Sequence, residues 1–372
     1  MTIAPAVGFP ESSSRVRRLD GLGEFMLVGG ATLPLLALAY VLRTQLGLES
    51  SELVVGFVMF HAAHVLNDPH FAVTYLLFYR DVRERAFGNA FSRAQRLRYW
   101  FAGAVVPVVL GSWLVVALAR HSAVKLGYAF QFMFLLVGWH YVKQGFGVVT
   151  VLSARRGFQF TSSERRVVLA HCISAWLFAR ANPRDPGREA SSEGVLFTTI
   201  AHPPALDWIT SVGFAVSTLA LGWLLVQRWR RGFALPPLVP LAGFLITVWL
   251  WTAFSKLDPL LVYVIPALHS LQYLYFVWLL RRNPARDEAV PTFVGAGRAL
   301  LLLTTGAMIL GWLLFRGVPA WLDETLVLKD VFDPLGETPY FAAIASFVNI
   351  HHYFMDAVIW RRENPETRQL LA

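Results

Sequence analysis

A polytopic, all-α integral membrane helix bundle is the architecture this sequence predicts, with about ten transmembrane helices and both termini in the cytoplasm. Three observations predict it. Of its 372 residues, 56% are hydrophobic and only 15% are charged, where a soluble domain would carry about a quarter charged residues. The apolar residues gather into about ten runs, most long enough to cross a hydrocarbon layer of about 30 Å at about 1.5 Å per helical residue. The basic residues gather into alternate loops.

In order, the runs fall near 24–42, 53–79, 99–118, 126–152, 165–180, 207–227, 235–254, 259–280, 294–315 and 339–360. Pro69 interrupts the second and Pro266 the eighth. Arg15, Arg17 and Arg18 precede the first, and Arg80 through Arg98 follow the second. Arg155, Arg156, Arg165 and Arg166, then Arg228, Arg230 and Arg231, then Arg281, Arg282 and Arg286, and finally Arg361, Arg362 and Arg368 complete the set. The other loops are acidic or mixed, so the positive-inside rule puts this Arg-bearing set in the cytoplasm. The whole chain, 1–372, reads as one transmembrane domain. It has a cytoplasmic segment at 1–23, a Pro/Gly/Ser-rich non-cytoplasmic loop at 181–206 expected to be irregular, and a cytoplasmic tail at 361–372. Residues 1–20 are polar and Arg-bearing, without the pattern of a secretory signal. The net charge of +9 follows from topology and does not imply a nucleic-acid partner. Lysine occurs only at 125, 143, 256 and 329, an Arg bias typical of GC-rich bacterial genomes, so the expected site is a bacterial cytoplasmic membrane. The sole cysteine, Cys172, excludes an intramolecular disulfide framework and a Cys-rich metal site.

Histidine is the informative residue. His61, His64 and His70 lie in the second run, His140 in the fourth, His269 in the eighth, and His351 and His352 in the tenth. These runs all cross in the same direction. His64, His140, His269 and His351 sit roughly 16–21 Å below their outer ends, so four helices offer imidazole at one depth. A single intramembrane histidine often only hydrogen-bonds across a helix interface. Four at one level point instead to a shared metal or haem site.

Local spacing adds candidates. His61, His64 and Asp68 stand at i, i+3 and i+7, on one helical face. Lys143 and Gln144 share a face with His140, and Gln272 and Tyr273 with His269. His352 and Asp356 are i, i+4, while His351 points about 100° away from His352. The candidate ligands are therefore His61, His64, His70, His140, His269, His351, His352 and Asp68, with Tyr273, Lys143 and Asp356 as candidate catalytic groups. Asp356 is one turn deeper than His352, which suits it to support an imidazole rather than to ligate. Lys143 would oppose a nearby cation unless it snorkels, loses its proton, pairs with Asp68 or Asp356, or meets an anion. His121 and His202 read as surface residues, and His171 as outside the site.

Neutral imidazole suits zinc, copper and iron. Several histidines, no cysteine and a few carboxylates fit non-haem iron. Haem would use only two of these histidines. A site at mid-bilayer favours a lipophilic substrate entering sideways from the membrane lipids. The expected function is an oxygenase, hydroxylase or desaturase acting on a hydrophobic molecule with O₂, its electron donor not identified by the sequence. The alternatives are a proton- or metal-ion-coupled transporter using the His/Asp/Lys cluster, or a haem-binding electron-transfer protein.

The stretch "HHYFMDAVIWR" around His351 and Asp356 resembles the last-helix motif of the bacteriorhodopsin-related-protein-like (Brp/Blh-like) membrane β-carotene dioxygenases. "HSLQY" at 269–273 resembles that family's His-Ser-x-x-His motif, "GWHYVKQGF" around His140 its second His motif, and "HAAHVLNDPHF" its first. The resemblance covers short patches of four helices, in the same order along the chain. It implies an integral membrane iron enzyme that cleaves a polyene with O₂, with His64 or His61, His140 and His269 as ligands. The chain departs from the pattern at Tyr273, where the family has histidine, and at Gln144, where it has an acid. A four-histidine site would then draw on His351 or His352.

Overall fold

The computed structural model describes residues 21–89, 91–181, 187, 189–192, 194–256, 258–282, 293–326, 334–361, 363, 364 and 367. The topology markers Arg15, Arg17, Arg18, Arg286, Arg362 and Arg368 lie outside the described residues, as do residues 1–20 and most of the predicted tail.

The chain is mostly helical. In order, its elements are α1 (Gly21–Gly30) and α2 (Thr32–Leu46), α3 (Leu48–Ala63), α4 (Asn67–Tyr79) and α5 (Val82–Phe87). Then come α6 (Arg93–Ala119), α7 (Ala123–Ala154), α8 (Ser162–Ala181), the hairpin β1 (Glu189–Ser192) and β2 (Val195–Thr198), and α9 (Pro204–Arg230). The last are α10 (Leu238–Ala253), α11 (Pro259–Arg282), α12 (Phe293–Trp312), α13 (Val318–Leu326) and α14 (Pro339–Ile359). A π-helical segment, Leu313–Gly317, joins α12 to α13.

Among the described residues, four helices are long and apolar enough to cross a membrane: Arg93–Ala119, Pro204–Arg230, Pro259–Leu280 and Leu300–Leu326. A fifth crossing arises if α1 and α2, bent by 62°, count as one. Ten runs were expected, and the difference has physical causes. The run 53–79 breaks at His64–Leu66, between α3 and α4. The run 235–254 folds as the shorter α10. Helices α7 and α14 carry Gln131, His140, Lys143 and Gln144, and Asn349, His351, His352 and Asp356, which dilute their apolar character.

Each break is satisfied by a neighbour. Gly29 adopts φ +133°, open to glycine, and ends α1. The Val28 carbonyl there accepts from Gln272 Nε2 at 2.6 Å. Within α6, the π-helical turn Phe101–Val105 contains the Ala102 carbonyl, which accepts from His351 Nε2 at 2.9 Å. Pro69 stands in the first turn of α4, where its missing N–H is not needed.

Helix α14 is buried along nearly its whole length and is fastened at both ends. The Asp323 carboxylate accepts from the N–H groups of Tyr340 and Phe341 at 2.8 and 3.0 Å, which caps the amino end. At the other end Asn364 Nδ2 donates to the Val358 and Ile359 carbonyls. Gln95 Nε2 donates to the Val358 carbonyl and to Asn364 Oδ1. These bonds satisfy acceptors that a helix end leaves open.

The described part of 181–206 is not irregular as expected. Glu189–Ser192 pairs antiparallel with Val195–Thr198. Gln131 of α7 donates to the Thr198 carbonyl at 3.2 Å and accepts from the Ile200 N–H at 2.6 Å. Phe197 packs so closely on Gly127 that a Cβ there would clash. Val195 and Phe197 thus join Leu126, Phe130 and Ala342 in an apolar cluster at this end of the bundle.

Candidate metal centre

Helices α4, α7, α11 and α14 meet in the interior and bring together His70, His140, His269 and His352 with Asp356. His70, His140, His352 and Asp356 each offer one ligand atom, all within 4.8 Å of one another, and all four residues are buried. His70 Nε2 lies 3.0 Å from His352 Nε2. Asp356 Oδ2 lies 3.3 Å from His352 Nε2 and 3.7 Å from His140 Nε2. His269 joins from the side, its Nε2 3.1 Å from His140 Nε2.

The groups behind these atoms fix their orientation. The Ser270 hydroxyl donates to Asn67 Oδ1 or to the Pro266 carbonyl, so it accepts from His70 Nδ1 at 2.9 Å. That assigns the His70 proton to Nδ1 and leaves the Nε2 lone pair facing the cluster. Tyr273 donates to Asp356 Oδ1 at 2.9 Å, with the Thr74 hydroxyl 3.3 Å from the same oxygen. Gln144 donates to the His269 carbonyl and to Gln272 Oε1, which tethers α7 to α11 beside the site. Tyr353 packs on His140, and Phe71 on His352.

Whether this set suits a cation can be tested on its unsatisfied atoms. Asp356 Oδ2 is buried and has no hydrogen-bond partner, and Asp356 is only 4% exposed. A hydrogen bond from His352 Nε2–H to His70 Nε2 would pair those two nitrogens and leave that oxygen bare. A bare carboxylate oxygen away from water is costly. A cation between them satisfies the oxygen and the facing lone pairs together. Metal–nitrogen and metal–oxygen bonds of about 2.0–2.2 Å put neighbouring ligand atoms roughly 3.0–3.5 Å apart, and the closest separations here are of that size. The residues fit a metal ion held by three imidazoles and one carboxylate.

The other sequence candidates lie elsewhere. His61 is exposed. His64 Nδ1 and Asp68 Oδ2 stand 3.4 Å apart, outside the cluster. His64 and Asp68 still face each other across the helix break at His64–Leu66, but away from the centre, and His70 of α4 supplies the imidazole there instead. His351 has both ring nitrogens engaged, Nδ1 with Tyr75 Oη at 3.0 Å and Nε2 with the Ala102 carbonyl. Lys143 is exposed, its ammonium over the rings of Trp139 and Phe146 at 5.7 and 5.1 Å. Asp356, expected only to support an imidazole, faces the centre directly, because the i, i+4 spacing lays its carboxylate alongside the His352 ring. Thr74, Ser270 and Asn67 were not singled out. Their signal was the i+4 spacing of Thr74 from His70 and the adjacency of Ser270 to His269. His171 is held by Trp249 and Ser217 in a separate core.

No protein-family model, curated protein or solved structure matches the chain.

Proposed function

We propose that this chain is a membrane-embedded, histidine-ligated non-haem iron oxygenase of the dioxygenase, hydroxylase or desaturase type. In this reading it acts on a lipid, polyene or terpenoid drawn from the bilayer. It crosses a bacterial cytoplasmic membrane, with both termini inside. The observation that carries the reading is the buried Asp356 Oδ2 without a partner among three converging imidazole Nε2 atoms. Iron held by His70, His140, His352 and Asp356 would supply the binding and activation of O₂.

The chain's own residues do the rest. Asp356 offsets cationic charge that would otherwise be expensive in a low-dielectric interior. Tyr273 and Thr74 hold its other oxygen, so it presents one oxygen only. Ser270 and Asn67 keep the His70 proton on Nδ1. Phe71, Phe315 and Val348, packed beside the site, exclude water. The 3.0 and 3.1 Å nitrogen pairs leave no slot for a macrocycle, which disfavours haem.

A transporter reading draws on one feature, the break between α1 and α2, since broken helices line ion paths in transporters. The carbonyl freed there is already taken by Gln272, so the oxygenase reading is the stronger.

The deciding experiment is elemental analysis of anaerobically purified protein, with an absorption spectrum. The expected result is about one iron per chain and no Soret band. His70→Ala and His140→Ala are expected to lose most of the metal. Full metal retention in both variants rejects this site.

A further inference from the structure

Lys143 carries a charge that the metal centre does not use. It stands about three turns from the Arg155–Arg156 end of α7, in a helix without a single acid. A cation at that depth in an apolar helix is costly unless a partner meets it. Its ammonium lies over the Phe146 ring, and Arg165, near the start of α8, brings its guanidinium over the same ring at 5.7 Å. Arg361, just past the end of α14, is near enough to act electrostatically on Lys143, as is Arg165. Arg361 Nε donates to the Ala357 carbonyl at 3.1 Å, which holds that guanidinium through one nitrogen.

Three cations thus converge from three helices, and the acids of those helices are turned elsewhere. Glu164, the one acid of α8, accepts from Arg228 and from the Thr161 N–H. Asp356, the one acid of α14, faces the metal centre. Glu363, beyond α14, lies 3.9 Å from Arg98. Among the described residues, neither Lys143 nor Arg361 forms an ion pair with a carboxylate. Lys143 is exposed and Arg165 and Arg361 are half-buried, so all three are open to an anion from outside the bundle. The adjoining surface is apolar. Trp139 and Trp176 pack with ring centroids 5.2 Å apart, and Ile173 and Leu177, one turn apart on α8, are exposed.

The chemistry of this surface selects its ligand. A free anion would use the cations alone, whereas an anionic lipid uses the cations and the apolar wall together. Phosphate suits the cations, since guanidinium groups offer it parallel donors and an ammonium offers a compact charge. Arg165 and Arg361 also belong to the Arg-bearing set assigned to the cytoplasmic side, where basic pockets between membrane helices take lipid head groups. We propose that Lys143, Arg165 and Arg361 hold the phosphate of an anionic membrane phospholipid, whose acyl chains lie along Trp139, Trp176, Ile173 and Leu177. The site rests on the reading of the chain as a membrane protein and does not depend on the His70–His140–His352–Asp356 centre holding metal.

The test is native mass spectrometry of the full chain purified in detergent, titrated with phosphatidylglycerol or with phosphatidylcholine of the same acyl chains, and with inorganic phosphate as a competitor. A hydrogen bond to a charged group is strong enough to give roughly tenfold discrimination. Phosphatidylglycerol is therefore expected to bind about tenfold more tightly than phosphatidylcholine, and equimolar inorganic phosphate is expected not to displace it. Lys143→Gln and Arg361→Gln are each expected to weaken phosphatidylglycerol about tenfold, and Lys143→Arg to restore most of the affinity. The double substitution Arg230→Gln, Arg231→Gln, in another Arg-bearing loop, is expected to leave it unchanged. Melting temperature and metal content in the same samples are expected to match the parent, which separates failure here from misfolding and from failure of the metal reading. Equal affinity for the two lipids in the parent protein overturns the proposal without recourse to any variant. Displacement by inorganic phosphate overturns it in favour of a free anion. An equal loss in the Arg230, Arg231 variant also overturns it, because the net charge of the protein would then explain the binding.

Discussion

Tyr273 donates its phenolic hydrogen to Asp356 Oδ1 at 2.9 Å, and this bond decides which carboxylate oxygen is left for a cation. Oδ1 is taken and Oδ2 is bare. Asp356→Asn is expected to weaken metal binding more than Tyr273→Phe does. Loss of an orienting partner of a metal ligand costs about 10–100-fold in affinity or activity, which sets the scale for Tyr273→Phe. Competition with a chelator of known affinity gives both values. Equal losses in the two variants would remove Asp356 from the ligand set.

The adjacent histidines are expected to separate cleanly. His352→Ala should lose most of the metal. His351→Ala should keep it and lose stability instead, because the Ala102 carbonyl is left without its donor at a cost of about 1–3 kcal/mol. Metal content and thermal unfolding in detergent, measured on both variants, distinguish the roles. Metal loss in His351→Ala with His352→Ala unaffected would reverse the assignment.

His70 and His64 offer a second contrast. The motif resemblance points to His64 or His61, and the geometry points to His70. His70→Ala is expected to empty the centre and His64→Ala to leave metal content near that of the parent.

These contrasts mark what could be read in the sequence. A helical membrane bundle with imidazoles from four helices at one depth was legible, because apolar runs and residue counts along a helix need no tertiary information. His140 was among those imidazoles, and the choice between His351 and His352 was left open by that reading. His70 against His64 did not, because a straight helix through 53–79 keeps the wrong face. Asn67-Asp68-Pro69 can start a new helix, but only packing against α11 and α14 shows that it does. Asp356 was placed a turn away from the ligands by rise alone. Side-chain length at i, i+4 closes that distance, and rise along the axis does not report it. The hairpin at 189–198 was hidden because its pairing depends on Gln131 and Gly127, far away in sequence.

The Gln95–Asn364 clamp on the end of α14 is expected to matter for the centre, though it lies beyond the ligands. Gln95→Ala removes a donor to the Val358 carbonyl, a change worth about 1 kcal/mol. A lower melting temperature and faster metal release on chelation are expected. An unchanged release rate would show that α14 is held in register by packing alone.

Topology is checked by reporter fusions. A fusion after Arg231 is expected to report the cytoplasm, and one at Glu189 the opposite side. The reverse pattern would invert the membrane orientation proposed from the Arg-rich loops.

Both His352 and Asp356 reside on α14, whereas His70, His140 and His269 come from helices far earlier in the chain. A nascent chain that has inserted only α1 through α11 holds imidazoles but no carboxylate at the centre. It would grip a divalent ion weakly and let it go. On the proposed reading, the arrival of α14 would add a carboxylate that offsets part of the ion's charge, so metal selection would be deferred until the bundle is assembled. Ions encountered during biosynthesis would not be locked in by accident.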